Sequence, residues 1–177
     1  LVTAGGGQDG YHVIENYLKG IRNDRVSASI QSLVVCGPEM PREQMIELRE
    51  QANAIPNLQF FSFTLEMESM MAAADVVIAM AGYNTVCEIL SLDKRAILIP
   101  RVRPTEEQMI RAERMSRLGL FRTIHPDELT PERLMGCLTE TLADVGERIP
   151  ALDLNALPAV AESVKALLGI TGHLEKR

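Results

Sequence analysis

Between Asp75 and Pro100 the chain sets two apolar runs, Asp75-Val76-Val77-Ile78-Ala79 and Ala96-Ile97-Leu98-Ile99, on either side of a glycine turn and a helix-length segment. Apolar runs without polar alternation are strands buried on both faces. Two such strands joined through a helix cannot form a hairpin, so the segment predicts a parallel strand–helix–strand unit. The same grammar continues in both directions. Strands are expected at residues 1–3, 32–36, 58–61, 75–79, 96–99 and 121–124. Helices are expected at 11–22, 42–53, 67–74, 85–92, 107–118, 131–144 and 157–168. Pro41, Pro131 and Pro158 stand where a first helical turn tolerates a missing N–H, with Thr130 as a cap. Repeated right-handed crossovers then give an α/β fold, a Rossmann-like parallel sheet with helices on both faces. Ligands of such sheets bind beyond the carboxyl ends of the strands.

Two glycine loops fall at those ends. In the first-named unit the turn reads Ala81-Gly82-Tyr83-Asn84-Thr85-Val86-Cys87-Glu88. Gly82 lets a ligand approach the backbone, Asn84 or Thr85 is expected to cap the helix, and the free N–H groups of a helix start suit a phosphate. Glu88 follows Thr85 by three residues, so its carboxylate shares that face and can accept both hydrogen bonds of a vicinal diol. Phosphate beside diol acceptor describes a nucleotide ribose. The second loop, Gly5-Gly6-Gly7-Gln8-Asp9-Gly10, contains Gly-x-Gly-x-x-Gly between a strand and a helix. A dinucleotide fingerprint wants an acid at the end of the second strand, whereas here Cys36-Gly37-Pro38-Glu39 brings it late and beyond a proline. Asp9 would also repel a pyrophosphate. Contact of Gly6, Gly7 and Gln8 with another phosphate or a sugar is the competing reading, and a tight turn without ligand is the third.

Composition narrows the partners. The 177 residues are 46% hydrophobic and 24% charged, enough for one well-buried domain. A net charge of -6, without a basic run or aromatic platform, argues against a nucleic-acid partner. Cys36, Cys87 and Cys137 lie far apart without metal spacing, which predicts reduced, mostly buried thiols and a cytoplasmic setting. No run approaches the length of a membrane span. Leu1-Val2-Thr3 reads as the tail of a strand without an initiator Met, from which an excised C-terminal portion of a longer protein is expected.

The ordered set formed by the glycine-rich loop, Gly82-Tyr83-Asn84-Thr85-x-x-Glu88, a proline-ended strand, and Glu107-Gln108 with Ala112 four residues later resembles the donor-binding half of GT-B glycosyltransferases. The similarity is greatest to the family 28 (MurG-like) C-terminal domain and spans about residues 2–120. It implies a nucleotide-sugar-binding domain over residues 1–177, whose acceptor-binding N-terminal partner domain lies outside this chain. It further implies an inverting, metal-independent transferase that needs no cofactor. The donor would be a UDP-sugar, UDP-N-acetylglucosamine among the candidates, and the acceptor a lipid-linked or other glycan. A homodimer and peripheral attachment at the inner membrane face are further options it leaves open. Residue by residue, it gives Glu88 the ribose hydroxyls and Asn84 and Thr85 the diphosphate. It gives Glu107 and Gln108 the donor-sugar hydroxyls, and the Phe63-Thr64 backbone the uracil edge, with Met67 packed nearby. Three positions depart from the family: Gly7 stands where a serine is usual, Tyr83 where a small residue is usual, and Met80 where plant-type relatives carry a phosphate-binding His.

Plainer readings compete at each position. Glu88 and Glu107 are also ordinary solvated helix residues, Tyr83 serves equally to stack on a base or cover its loop, and Asp75 suits a local hydrogen bond. Met67, Met70 and Met71 read as core filler. His12, His125 and His173 lack a Ser or Cys partner in a nucleophile motif, and Arg101 and Arg103 are the candidate cations for leaving-group charge. A UDP-sugar epimerase or hydrolase on the same fold and a non-catalytic nucleotide-sugar sensor are the alternative functions.

Overall fold

A computed structural model describes residues 1–23, 29–144 and 154–169. Six parallel strands run β1 (Val2–Thr3), β2 (Ser32–Val35), β3 (Leu58–Phe61), β4 (Val76–Ala79), β5 (Arg95–Leu98) and β6 (Arg122–Thr123). Their spatial order is β3-β2-β1-β4-β5-β6. The chain leaves β1 toward one edge, returns, and leaves β4 toward the other. The crevice between the ends of β1 and β4 is therefore the switch point at which such sheets take ligands.

The strand residues alternate between two separate cores, which explains why the runs look continuously apolar. Val76, Ile78, Ile97 and Ile99 join Val2 and Val34 against α1 (Tyr11–Asn23), α2 (Arg42–Asn53) and α6 (Pro131–Ala143). Val77, Ala79, Ala96 and Leu98 face the opposite way. There they meet Met71 of α3 (Met67–Ala73), Val86 and Ile89 of α4 (Tyr83–Ser91) and Ala112 of α5 (Glu107–Arg117). Successive strand residues point to opposite faces, and here both faces are covered. Met71 is core filler and Met67 packs beside it, as the sequence predicts.

A side-chain cap sets the start of α6. Thr130 accepts from the Arg133 N–H at 3.2 Å with Pro131 at the first position of α6, as expected. Pro41 instead precedes α2 as its N-cap. The far end of α6 is tied to the sheet by Arg95, whose Nη1 donates to the carbonyls of Thr141 and Asp144 at 2.8 and 2.9 Å. A cation there also complements the carbonyl end of the helix dipole. The last helix, α7 (Leu157–Leu167), is exposed along its length. The sequence also predicts a linker at Ile149–Asn155, of which residues 149–153, like His173, lie outside the described residues. Among those described, no helix is long and apolar enough to cross a membrane.

Candidate functional site

The loop after β1, the start of α4 and the loop after β5 enclose a cleft of about 250 Å³ at the switch point. Its lining brings together eight residues expected from the sequence: Gly6, Gly7, Gln8, Gly82, Tyr83, Asn84, Thr85 and Gln108. Asp9, Glu39, Met80 and Arg101 complete the wall. The two glycine loops meet through Thr85, whose hydroxyl lies so close to Gly5 that a Cβ there would stand 3.6 Å from it.

The helix start differs from expectation in one respect that strengthens it as an anion site. Gly82, and not Asn84 or Thr85, is the N-cap of α4, and no side chain caps the helix. The first bond within the helix runs from the Val86 N–H to the Gly82 carbonyl at 3.0 Å. The N–H groups of Tyr83, Asn84 and Thr85 therefore have no helical acceptor and remain available to a ligand, at the positive end of the helix dipole. The earlier start also puts Glu88 in the second turn rather than the first. In the first loop the amides of Gly5, Gly7 and Gly10 bond to Thr3, Ala4 and Gly7. Those of Gly6, Gln8 and Asp9 have no partner among the described residues, so they are the donors this loop can offer.

Gly7 explains one departure from the family pattern. Its φ of +100° is a backbone state that a serine adopts only under strain, and a Cβ there would meet the Cys36 carbonyl oxygen at 2.7 Å. The loop is folded for glycine at this position.

Four expected residues lie outside the lining. Phe63 and Thr64 follow β3, three strands from β4, or roughly 14 Å along the sheet top at the usual strand spacing. Phe63 is exposed, and Thr64 accepts locally from the Glu66 N–H at 3.0 Å. Glu88 is exposed one turn beyond Thr85 and is not part of the lining. Glu107 is exposed at the start of α5, its Oε1 3.9 Å from Arg101 Nη2. A ligand reaching these residues extends past the cleft. Gln108 is buried, at 8% exposure, and its Oε1 accepts from the Arg101 N–H at 3.3 Å. That bond takes one of the two lone pairs of the amide oxygen and leaves the amide nitrogen free to donate.

Sequence reasoning missed two contributors. Glu39 turns back over the first loop, donating its N–H to the Gly6 carbonyl at 2.7 Å and holding its carboxylate against Gly6. An acid shortly after the second strand was the available signal, discounted because of Pro38. Arg111 of α5 donates to the Ala81 carbonyl at 2.6 Å and spreads its guanidinium 5.6 Å from the Tyr83 ring centre. It thus fixes the turn that aims the α4 amides, a contact between distant elements that no local pattern encodes. Tyr83 lies beneath this cation and is two-thirds exposed, at 67%.

The remaining candidates lie elsewhere. Asp75 is at the opposite end of β4 from the cleft. His12 is an exposed neighbour of Glu15, and His125 accepts from the Asp127 N–H at 3.2 Å as a local cap. Cys36 is buried, which pushes its thiol up to about 11 and makes it inert as a nucleophile. Cys87 and Cys137 are half-buried and free, less enclosed than expected. Arg101 lines the cleft and Arg103 does not.

Residues 1–151 match the model of the glycosyltransferase family 28 C-terminal domain. The chain belongs to that family. One relative is the UDP-N-acetylglucosamine--N-acetylmuramyl-(pentapeptide) pyrophosphoryl-undecaprenol N-acetylglucosamine transferase of Haemophilus influenzae (strain PittEE). It is 28% identical over 166 residues, which are 90% of this chain and 46% of that protein. The Clostridium kluyveri enzyme of the same name is 29% identical over 133 residues, covering 73% of this chain and 35% of its own. Among solved structures, MurG of Acinetobacter baumannii superposes with a TM-score of 0.70 at 20% identity, over 94% of this chain and 49% of that one. The calicheamicin glycosyltransferase CalG4 gives 0.67 at 19%, over 95% and 42%. The family 28 domain described here thus has the Rossmann-like fold of glycosyltransferases and spans less than half the length of these relatives.

Proposed function

We propose that this family 28 domain binds the UDP-sugar donor of an inverting, metal-independent glycosyltransferase, with UDP-N-acetylglucosamine the first donor to test. The observation that carries the reading is the uncapped start of α4, whose three amides open on the cleft between the glycine loops. The diphosphate lies on those amides. The ribose hydroxyls reach Glu88, one turn along the same helix, and the uracil extends along the sheet top toward Phe63 and Thr64. The sugar points the other way, toward Gln108 and Glu107. In transfer, an acceptor hydroxyl attacks the anomeric carbon in line as its proton passes to a base, and the bond from that carbon to the β-phosphate oxygen breaks with its electron pair leaving on UDP. Amides already aimed at the diphosphate stabilise that developing charge without reorganising.

The base and the acceptor site are assigned to the partner domain. Acceptors in this reading are lipid-linked or other glycans, and the setting is cytoplasmic, at the inner face of the membrane. The isolated 177-residue chain is therefore expected to bind UDP while producing no transfer to any acceptor, with or without magnesium. Transfer by the chain alone, followed by product chromatography, would place the whole active site within it. Product analysis also separates transfer from epimerisation, hydrolysis and mere binding.

Gln108 separates sugar from nucleotide. Loss of one neutral hydrogen-bond donor costs about 0.5–1.5 kcal/mol, or about 2- to 12-fold. Gln108→Ala is expected to weaken the UDP-sugar by that factor and leave UDP nearly unchanged in calorimetric titration. Equal weakening of both ligands would mean that Gln108 acts through its bond to the Arg101 backbone.

A further inference from the structure

The cation best placed to meet a diphosphate is already occupied. Arg101, in the loop after β5, sends Nη1 across the cleft to Asp9 Oδ2 at 3.0 Å, and its Nη2 lies 3.9 Å from Glu107 Oε1. Two carboxylates from two other segments thus surround one guanidinium, and Glu39 adds a third negative charge on the same wall. The charge that Arg101 presents to the cleft is cancelled. Its bonding is also incomplete, since Nε is buried without an acceptor. A buried N–H without a partner disfavours the arrangement that leaves it so, which lowers the barrier to exchanging it for another. Asp9 itself is 43% exposed on a glycine-flanked loop and can turn to water once released.

Resting on the donor-site reading above, we propose that Asp9 occupies Arg101 in place of the donor's phosphate, so that binding exchanges one anion for the other and Asp9 sets how tightly the cleft holds a diphosphate. A ligand with a diphosphate recovers the guanidinium contact, whereas a neutral nucleoside leaves the ion pair in place. Asp9 therefore lowers the affinity of the cleft for a phosphate, and with it the margin by which UDP is preferred to uridine, through competition rather than contact. Most charged residues lining a phosphate site favour it; this one opposes it, so its removal has a sign that simple support would not produce.

The test is titration of the 177-residue chain with UDP and with uridine, for wild type, Asp9→Asn and Arg101→Gln. Asp9→Asn is expected to tighten UDP about fivefold, the size that one solvent-reached charge pair commands, and to leave uridine unchanged. The gain should shrink in high salt. Arg101→Gln is expected to weaken UDP about fivefold, again without moving uridine. Weaker UDP binding by Asp9→Asn would make Asp9 a support for Arg101 and overturn the exchange, as would no change at all. If wild type binds neither UDP nor uridine, the donor-site reading fails and the exchange fails with it. Binding of UDP by wild type with the wrong response at Asp9 defeats the exchange alone.

Discussion

Gly37→Ala is expected to lower the unfolding free energy by about 2–5 kcal/mol. Two costs add. Gly37 has φ +95°, where a side chain costs about 1–2 kcal/mol, and its new Cβ would stand 2.1 Å from the Gly5 carbonyl oxygen and 2.7 Å from the Gly6 carbonyl carbon. Those are backbone atoms that cannot rotate away, so one loop must shift, at about 1–3 kcal/mol. In a domain of this size the sum corresponds to a fall in Tm of about 5–20 °C. The atoms displaced belong to the first wall of the cleft, so UDP binding should weaken as well, even where the variant is fully folded. Urea unfolding followed by titration at low denaturant checks both parts. An unchanged midpoint would show that the β1 and β2 loops separate without cost, contrary to the tight contact described here.

Glu88→Ala is expected to reduce affinity for UDP by about 10- to 150-fold while leaving stability within about 0.5 kcal/mol. The binding loss is that of a charged acceptor removed from two hydroxyls, about 1.5–3 kcal/mol. Water reaches Glu88 in the unliganded chain, which favours the lower end. The small stability effect follows from the same exposure. Comparing UDP with its 2′-deoxy analogue sharpens the test: wild type should discriminate between them and Glu88→Ala should not. Equal affinities of wild type and variant for UDP would remove the ribose role.

The two predictions probe residues that were legible to different degrees. Glu88 was visible because a glycine turn, polar helix start and acid at helical spacing are all local, and local spacing fixes which side chains share a helix face. The clash at Gly37 was invisible, because Gly5 and Gly37 are distant in sequence and meet only through the pairing of β1 with β2. Arg111 belongs to the same class, reaching Ala81 from another helix. Glu39 was half-visible: its type was right for a site at the end of β2, but the turn that folds it back over Gly6 depends on the conformation of Gly37-Pro38. The error at α4 was of another kind. Asn84 and Thr85 are good caps by residue type, yet Gly82 already has extended backbone at φ -61° and ψ 147°, and the helix begins two residues sooner.

The sequence by itself determined the α/β class, the parallel pairing and the order of strands and helices. Buried runs and helical periodicity record how each segment meets a core, and the sheet imposes that requirement on every segment alike. It also determined that the two glycine loops lie at the strand ends, since glycines follow β1 and β4 there. Only the tertiary structure decided which of the site residues converge. Gly6, Thr85, and Arg101 with Gln108 come from three separate βα junctions, and the 3-2-1-4-5-6 strand order brings those junctions together. Only there did Arg101 acquire Asp9 as its partner, because charge pairing depends on distances across the cleft that no spacing along the chain encodes.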